Sequence, residues 1–210
     1  MVRPRVCRFA KDYQYSNLLG LTAAAEFDEK VCNMPARRLS YPYVEPDAAH
    51  QTRLEIEVLA DRYAHEWGYR SGKSLDEVCK TAGVDIEYSH RPNEIMLEIP
   101  LEERPVIWLP RTGRKRDDRF IIATALGHWA IHVGETRKAH PGCGIQALYE
   151  PDSNEALEEA KAFGMAFLMP TQAFIDSWCQ GRSQAASIRF DVPTKIAYLR
   201  AKSLELGDTV

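Results

Sequence analysis

The amino-acid sequence predicts an α+β domain, mostly helical, with a small β-sheet. Three observations lead there. Residues 117–133, DDRFIIATALGHWAIHV, read as one helix of about four to five turns, apolar around most of its circumference, and such a helix lies in the middle of a domain. Two further stretches, 52–67 and 153–169, place apolar side chains at helical spacing. Three short runs, VDIEYSH (84–90), IMLEI (95–99) and PVIWLP (105–110), read as strands grouped between the helices.

In chain order, the sequence divides into an N-terminal extension (1–50), a central domain (51–170) and a C-terminal helical segment packed on it (171–210). In the extension, residues 15–31 predict a helix carrying Leu18, Leu19, Leu21, Ala25 and Phe27. Pro35, Pro42 and Pro46 then interrupt regular structure. The extension reads as an arm packed on the domain or a linker; the alternative is a segment that docks a partner or covers a cleft. In 52–67, Leu54, Val58, Leu59, Arg62, Tyr63 and Trp67 share the helical spacing, and Gly68 ends the helix. Ser74 is a candidate cap for a short helix over 75–82, closed by Gly83. The run 84–90 alternates, with 95–99 as its candidate pairing partner.

Residues 111–119, RTGRKRDDR, read as a basic loop, either a solvated connection or a contact surface for an acidic partner. Its interleaved acids and lack of aromatics give little support to base stacking. Asp117 or Asp118 is the candidate cap of the central helix. Ser153 is the candidate cap of the next, whose buried stripe is Ala156, Ala160, Phe163 and Phe167, and Pro170 ends it. Residues 174–179, 183–190 and 194–206 follow as helices, the last two separated by a turn at Asp191, Val192 and Pro193.

An apolar content of 45% is enough for a core, and a net charge of −3 offers no electrostatic case for a nucleic-acid or membrane-surface binder. The five cysteines (Cys7, Cys32, Cys79, Cys143, Cys179) are scattered and lack any C-x-x-C, the expectation for a reduced, cytoplasmic protein rather than a disulfide scaffold. No apolar run approaches the roughly 20 residues of a membrane span, and the first residues carry no signal-peptide core.

One polar line crosses the central helix. Thr124, His128 and His132 are spaced four apart and lie on one face, and polar groups on a buried helix must find partners. In an H-E-x-x-H helix, two His four apart bind zinc and the adjacent Glu takes a proton from zinc-bound water. Two registers are open. With His128 and His132 as the pair, Trp129 stands where the base belongs; with Thr124 and His128, Ala125 stands there. Neither Trp nor Ala accepts a proton, so the general base is missing in both. Glu159, between Ala156 and Phe163 on the later helix, points close to the buried side, where a carboxylate needs a cation, a donor, a metal or a proton. His140 and Cys143, in H-P-G-C after the central helix, could return an imidazole and a thiolate towards His128 and His132, although with Glu135 they match no established zinc spacing.

RFIIATALGHWAIH (119–132) resembles the active-site helix of the ImmA/IrrE family of zinc metallopeptidase-like proteins, which carries an RF-x-x-A-HELGH pattern. Aligned on Arg119–Phe120 and Leu126–Gly127–His128, the family's first zinc His falls on Thr124 and its catalytic Glu on Ala125. EEAKAFGMAFLMP (158–170) resembles the family's E-A-N-x-F-A-x-x-L-L-M-P stretch, which puts the third zinc ligand on Glu159 and leaves Lys161 where the family has Asn. Residues 185–206 resemble its C-terminal helical segment, which has a helix-turn-helix look; a helical layer over the core is the favoured reading, since turn spacing alone says little about DNA binding.

The resemblance covers about residues 52–206 and implies a mostly helical, zincin-like metallopeptidase fold. It also implies a gene-expression circuit of the phage, mobile-element or stress-response kind, in which members cleave or bind helix-turn-helix repressors. The leading expectation is a catalytically inactive member that binds a protein partner such as a repressor through the old cleft (His128, His132, Glu159), with no cofactor, no membrane and no direct nucleic-acid contact. One alternative is an active zinc peptidase with a site rebuilt from His128, His132 or Cys143, and Glu159. Another is a structural or assembly scaffold, with homo-oligomerisation open.

Overall fold

The computed structural model describes residues 41–89 and 94–207. The helix expected at 15–31 lies outside them. In chain order the elements are β1 (Tyr43–Val44), α1 (Arg53–Glu66), α2 (Asp76–Ala82), β2 (Asp85–Ser89), β3 (Ile95–Ile99), β4 (Val106–Pro110), α3 (Lys115–Ile131), α4 (Val133–Ala139), β5 (Gly144–Leu148), α5 (Glu155–Leu168), α6 (Thr171–Phe190) and α7 (Thr194–Ser203). The result is the expected α+β class, mostly helical with one five-stranded mixed sheet among the described residues.

The strand order is β1-β5-β3-β4-β2. The expected pairing of β2 with β3 does not form: β2 pairs in parallel with β4, and β3 lies between β4 and β5, antiparallel to both. Burial explains the order. Met96, Leu97 and Ile99 of β3 are all buried, as an interior strand requires, whereas β2 carries exposed Glu87 and Tyr88 and suits an edge. The short β1 and β5, which the sequence reading did not anticipate, pair in parallel at Tyr43–Gly144 and Val44–Ile145.

α1 begins in a capping box. The Thr52 hydroxyl accepts from the Glu55 amide while the Glu55 carboxylate accepts from the Thr52 amide. Its buried stripe keeps Leu59, Tyr63 and Trp67 of the expected set but not the rest. Ile56, Ala60 and Trp67 face inward with half-buried Tyr63, while Leu54 and Val58 are 73% and 62% exposed on another face. Tyr63, Trp67, Tyr69, Phe163 and Phe167 form an aromatic stack at the α1–α5 boundary, with ring centroids 4.5–6.2 Å apart.

α3 contacts β3, β4 and α5, and α5 in turn contacts α1 and α7. Asp117 and Asp118 lie in the first turn of α3 but neither caps it; Arg114 holds the N-cap position without a side-chain bond. The predicted single helix breaks at His132, which closes α3 and opens α4. α3 and α5 run antiparallel and very close. A Cβ on Gly127 would stand 2.6 Å from the Ala160 carbonyl oxygen, and one on Gly164 would stand 3.1 Å from the Thr124 amide nitrogen. Ala156, Ala160 and Gly164 recur every fourth residue, so α5 offers α3 a smooth seam on which backbones can meet.

α6 is two helices joined at a kink, with non-helical backbone at Gly181 and Arg182, so the expected separation of 174–179 from 183–190 is present. Asp191 ends α6 in a left-handed conformation, its carboxylate held by the Arg116 guanidinium at 3.0 Å. Thus the basic stretch 111–119 is not simply a solvated loop. It enters α3 at Lys115, Arg116 ties that helix to the α6–α7 turn, and buried Arg119 donates to the Tyr69 hydroxyl at 3.0 Å. Arg200 of α7 is 2% exposed; it pairs bidentately with Glu57 of α1 and also donates to Thr171 and the Met169 carbonyl. No described helix is long and apolar enough to cross a membrane.

Candidate functional site

The polar line of α3 looks onto α5 and onto the segment that precedes α1. Its first member is self-satisfied: the Thr124 hydroxyl donates to the Phe120 carbonyl of its own helix at 2.9 Å. Ala125 is fully buried and presents only a methyl group. His128 is 2% exposed, and neither ring nitrogen has a protein partner among the described residues. Burial, reinforced by neighbouring His132, pushes its pKa down to about 3, so the imidazole is neutral at ordinary pH. The His128 and His132 ring centroids are 5.0 Å apart.

His132 is fully buried, and its Nε2 lies 2.9 Å from Glu159 Oε2. The donor that the Glu159 carboxylate needs is thus His132, not His128. The reason is directional. Side chains lean towards the N-terminus of their helix, and in this antiparallel pair the N-terminal end of α5 lies against the C-terminal end of α3. Glu159 thus leans past His128 to the next turn.

Two backbone amides complete the carboxylate's shell: Ala49 donates to Oε2 at 2.9 Å and Gln51 to Oε1 at 2.7 Å. Burial alone would raise the Glu159 pKa, but the bonds from His132, Ala49 and Gln51 outweigh it and hold the carboxyl below its usual range. Burial lowers the His132 pKa and Glu159 only partly opposes this. The pair is thus a neutral imidazole donating to a carboxylate, a charge-assisted hydrogen bond rather than an ion pair.

Two imidazoles and a carboxylate are a donor set that zinc uses. In this arrangement the Thr124 hydroxyl is bonded to Phe120, both Glu159 oxygens accept hydrogen bonds, and the His128 ring nitrogens have no protein partner among the described residues. The H-P-G-C loop does not join the cluster: His140 Nε2 lies 3.4 Å from Asp47, and Cys143 is a half-buried free thiol beside β5. Lys161 pairs with Glu158 at 2.8 Å, away from Glu159.

The contribution of residues 47–51 was not visible in the sequence. Asp47 donates its amide to the Thr136 hydroxyl at 3.3 Å, and Ala49 and Gln51 act through backbone N–H groups, which carry no side-chain signature. The described part of the extension packs on the domain at β5 and α4 and places two backbone amides on Glu159.

Comparison with known proteins supplies a family. Residues 79–202, more than half of the chain, match the model of the IrrE N-terminal-like domain. No curated protein sequence matches. Among solved structures, a Mycobacterium tuberculosis transcriptional regulator superposes with a TM-score of 0.53 at 18% identity, over 71% of this chain and 46% of that one, a likeness of fold. The chain thus spans less than half the length of that regulator.

Proposed function

We propose, from the premise that the chain belongs to the IrrE N-terminal-like domain family, that it binds a protein partner through the old peptidase cleft and does not cleave it. The observation that carries this reading is the pair Thr124 and Ala125: one hydroxyl is bonded to its own helix and the other side chain is a methyl group, where the family's motif has a ligand and a proton acceptor. The Glu159 carboxylate, which already accepts bonds from His132, Ala49 and Gln51, supports the same reading. The favoured partner class is a helix-turn-helix repressor in a phage, mobile-element or stress-response circuit, with the protein acting by sequestration. The regulator among its structural neighbours supports a regulatory setting of that kind.

The test mixes the purified full chain with helix-turn-helix repressors from the same genome. A stoichiometric complex with intact repressor and altered DNA binding is expected. Absence of both complex and altered DNA binding would refute the reading. So would repressor cleavage that a chelator abolishes, with about one zinc per chain by elemental analysis; that result would establish the rebuilt metal site instead.

One observation favours a second reading, the structural or assembly scaffold: residues of the same chain already occupy the cleft at Glu159. A stable homodimer indifferent to any repressor would point there.

A further inference from the structure

The segment leading into α1 is fixed at a series of points, and their spacing is informative. β1 lies along the outer edge of β5, and the Gly144 amide donates to the Pro42 carbonyl. The Tyr43 ring covers Gly144 so closely that any Cβ there would collide with it. Further along, Asp47 engages Thr136 by its amide and His140 by its carboxylate. Ala49 and Gln51 then place both amides on Glu159. The segment therefore runs from the sheet edge across the carboxylate that answers the polar line of α3. An edge strand and a carboxylate hungry for N–H donors form a surface for a length of polypeptide backbone.

Between the two donors, His50 has φ +52, left-handed backbone that an L residue with a side chain adopts at a cost. This twist turns the amides on either side of His50 onto one anion. The segment is thus held by well-formed hydrogen bonds at a strained residue, which favours exchange over permanence.

We propose that the β5 edge, Thr136 and Glu159 form a docking strip for a backbone segment of a partner protein, and that residues 41–51 are its resident occupant, displaced when the partner binds. The chain thereby competes in cis with its own partner. This rests on the reading of the cleft as a protein-binding surface and adds what occupies it. Its test uses only this chain and its own peptide, so it fails or succeeds independently of any repressor.

The probe is a fluorescein-labelled peptide of residues 41–52, followed by anisotropy with the full-length protein. The variant A49P/Q51P removes both N–H donors. A tethered segment holds an effective concentration on the order of millimolar, so the wild type should hardly admit the peptide. The variant is expected to bind it at least tenfold more tightly. Amide hydrogen exchange provides a second measurement independent of that variant. The Ala49 and Gln51 amides should be protected in the wild type, and more so in His50→Gly, which relieves the strain without touching a donor. Equal affinity of wild type and a folded A49P/Q51P variant, including no binding by either, would overturn the proposal. So would unprotected Ala49 and Gln51 amides in the wild type, or protection unchanged by His50→Gly. If A49P/Q51P fails to fold by circular dichroism, the exchange series decides alone.

Discussion

Replacing His128 by leucine isolates the energetic consequence of the buried polar line. His128 is 2% exposed with no protein partner for either nitrogen among the described residues, and its folded pKa is about 3 against 6.5 when free. Above pH 6.5 neither folded nor unfolded chain protonates this ring. As the pH falls below 6.5 the unfolded chain takes up the proton first, so stability declines through the window from 6.5 down to about 3 and levels off below it. At 1.36 kcal/mol per pKa unit, the loss from this one group is about 2 kcal/mol between pH 7 and pH 5. Leucine cannot titrate, and it also removes two buried polar atoms whose lack of partners costs about 1–3 kcal/mol.

The assay is urea denaturation of wild type and His128→Leu from pH 7.5 to 5. The variant should be the more stable at neutral pH, and the gap should widen by about 2 kcal/mol at pH 5. His132 and Glu159, whose pKa values are also lowered, add acid sensitivity of the same sign to both proteins and largely cancel in the difference. A gap that stays constant within about 0.5 kcal/mol across the series would refute the assignment of a neutral, desolvated imidazole.

Three further substitutions probe the scaffold. Gly127→Ala drives a methyl group into the Ala160 carbonyl; overpacking of about 1–3 kcal/mol should exceed the roughly 1 kcal/mol gained in helix propensity, and a thermal midpoint at or above wild type would mean that the helices do not approach so closely. Arg200→Met leaves the Glu57 carboxylate without its guanidinium and should cost about 3 kcal/mol in chemical denaturation, most of it recovered in Glu57→Leu/Arg200→Met; no recovery would show that packing rather than charge is lost. Thr52→Ala removes the α1 cap and should cost about 1 kcal/mol, with faster amide exchange confined to the first turn of α1.

The parts legible in the sequence were those with a local physical signature. α3 and α5 announced themselves through apolar periodicity, helical spacing put Thr124 and His128 on one face, and the family resemblance singled out Ala125 and Glu159. What was not legible depended on neighbours distant in the chain. Leu54 and Val58 share helical spacing with Tyr63 and Trp67, yet packing on the α5 aromatics turns Ile56 and Ala60 inward with those two instead. β2 and β3 are adjacent in sequence, yet β4 takes the place between them because β3 is apolar enough for the interior. The partner of Glu159 turned on the lean of one side chain across an antiparallel seam, a displacement of one helical turn that periodicity does not encode.

The bond between Glu57 and Arg200 spans 143 residues of sequence. During synthesis the carboxylate emerges long before its guanidinium, and at about 5–20 residues per second the interval is roughly 7–29 s. For that time α1 is available to the nascent chain, but the charge it must bury has no counterpart, and water is the only environment that suits it. A chain cut short before Arg200 would therefore have to dock α1 with the Glu57 carboxylate lacking its guanidinium, or leave that carboxylate in water.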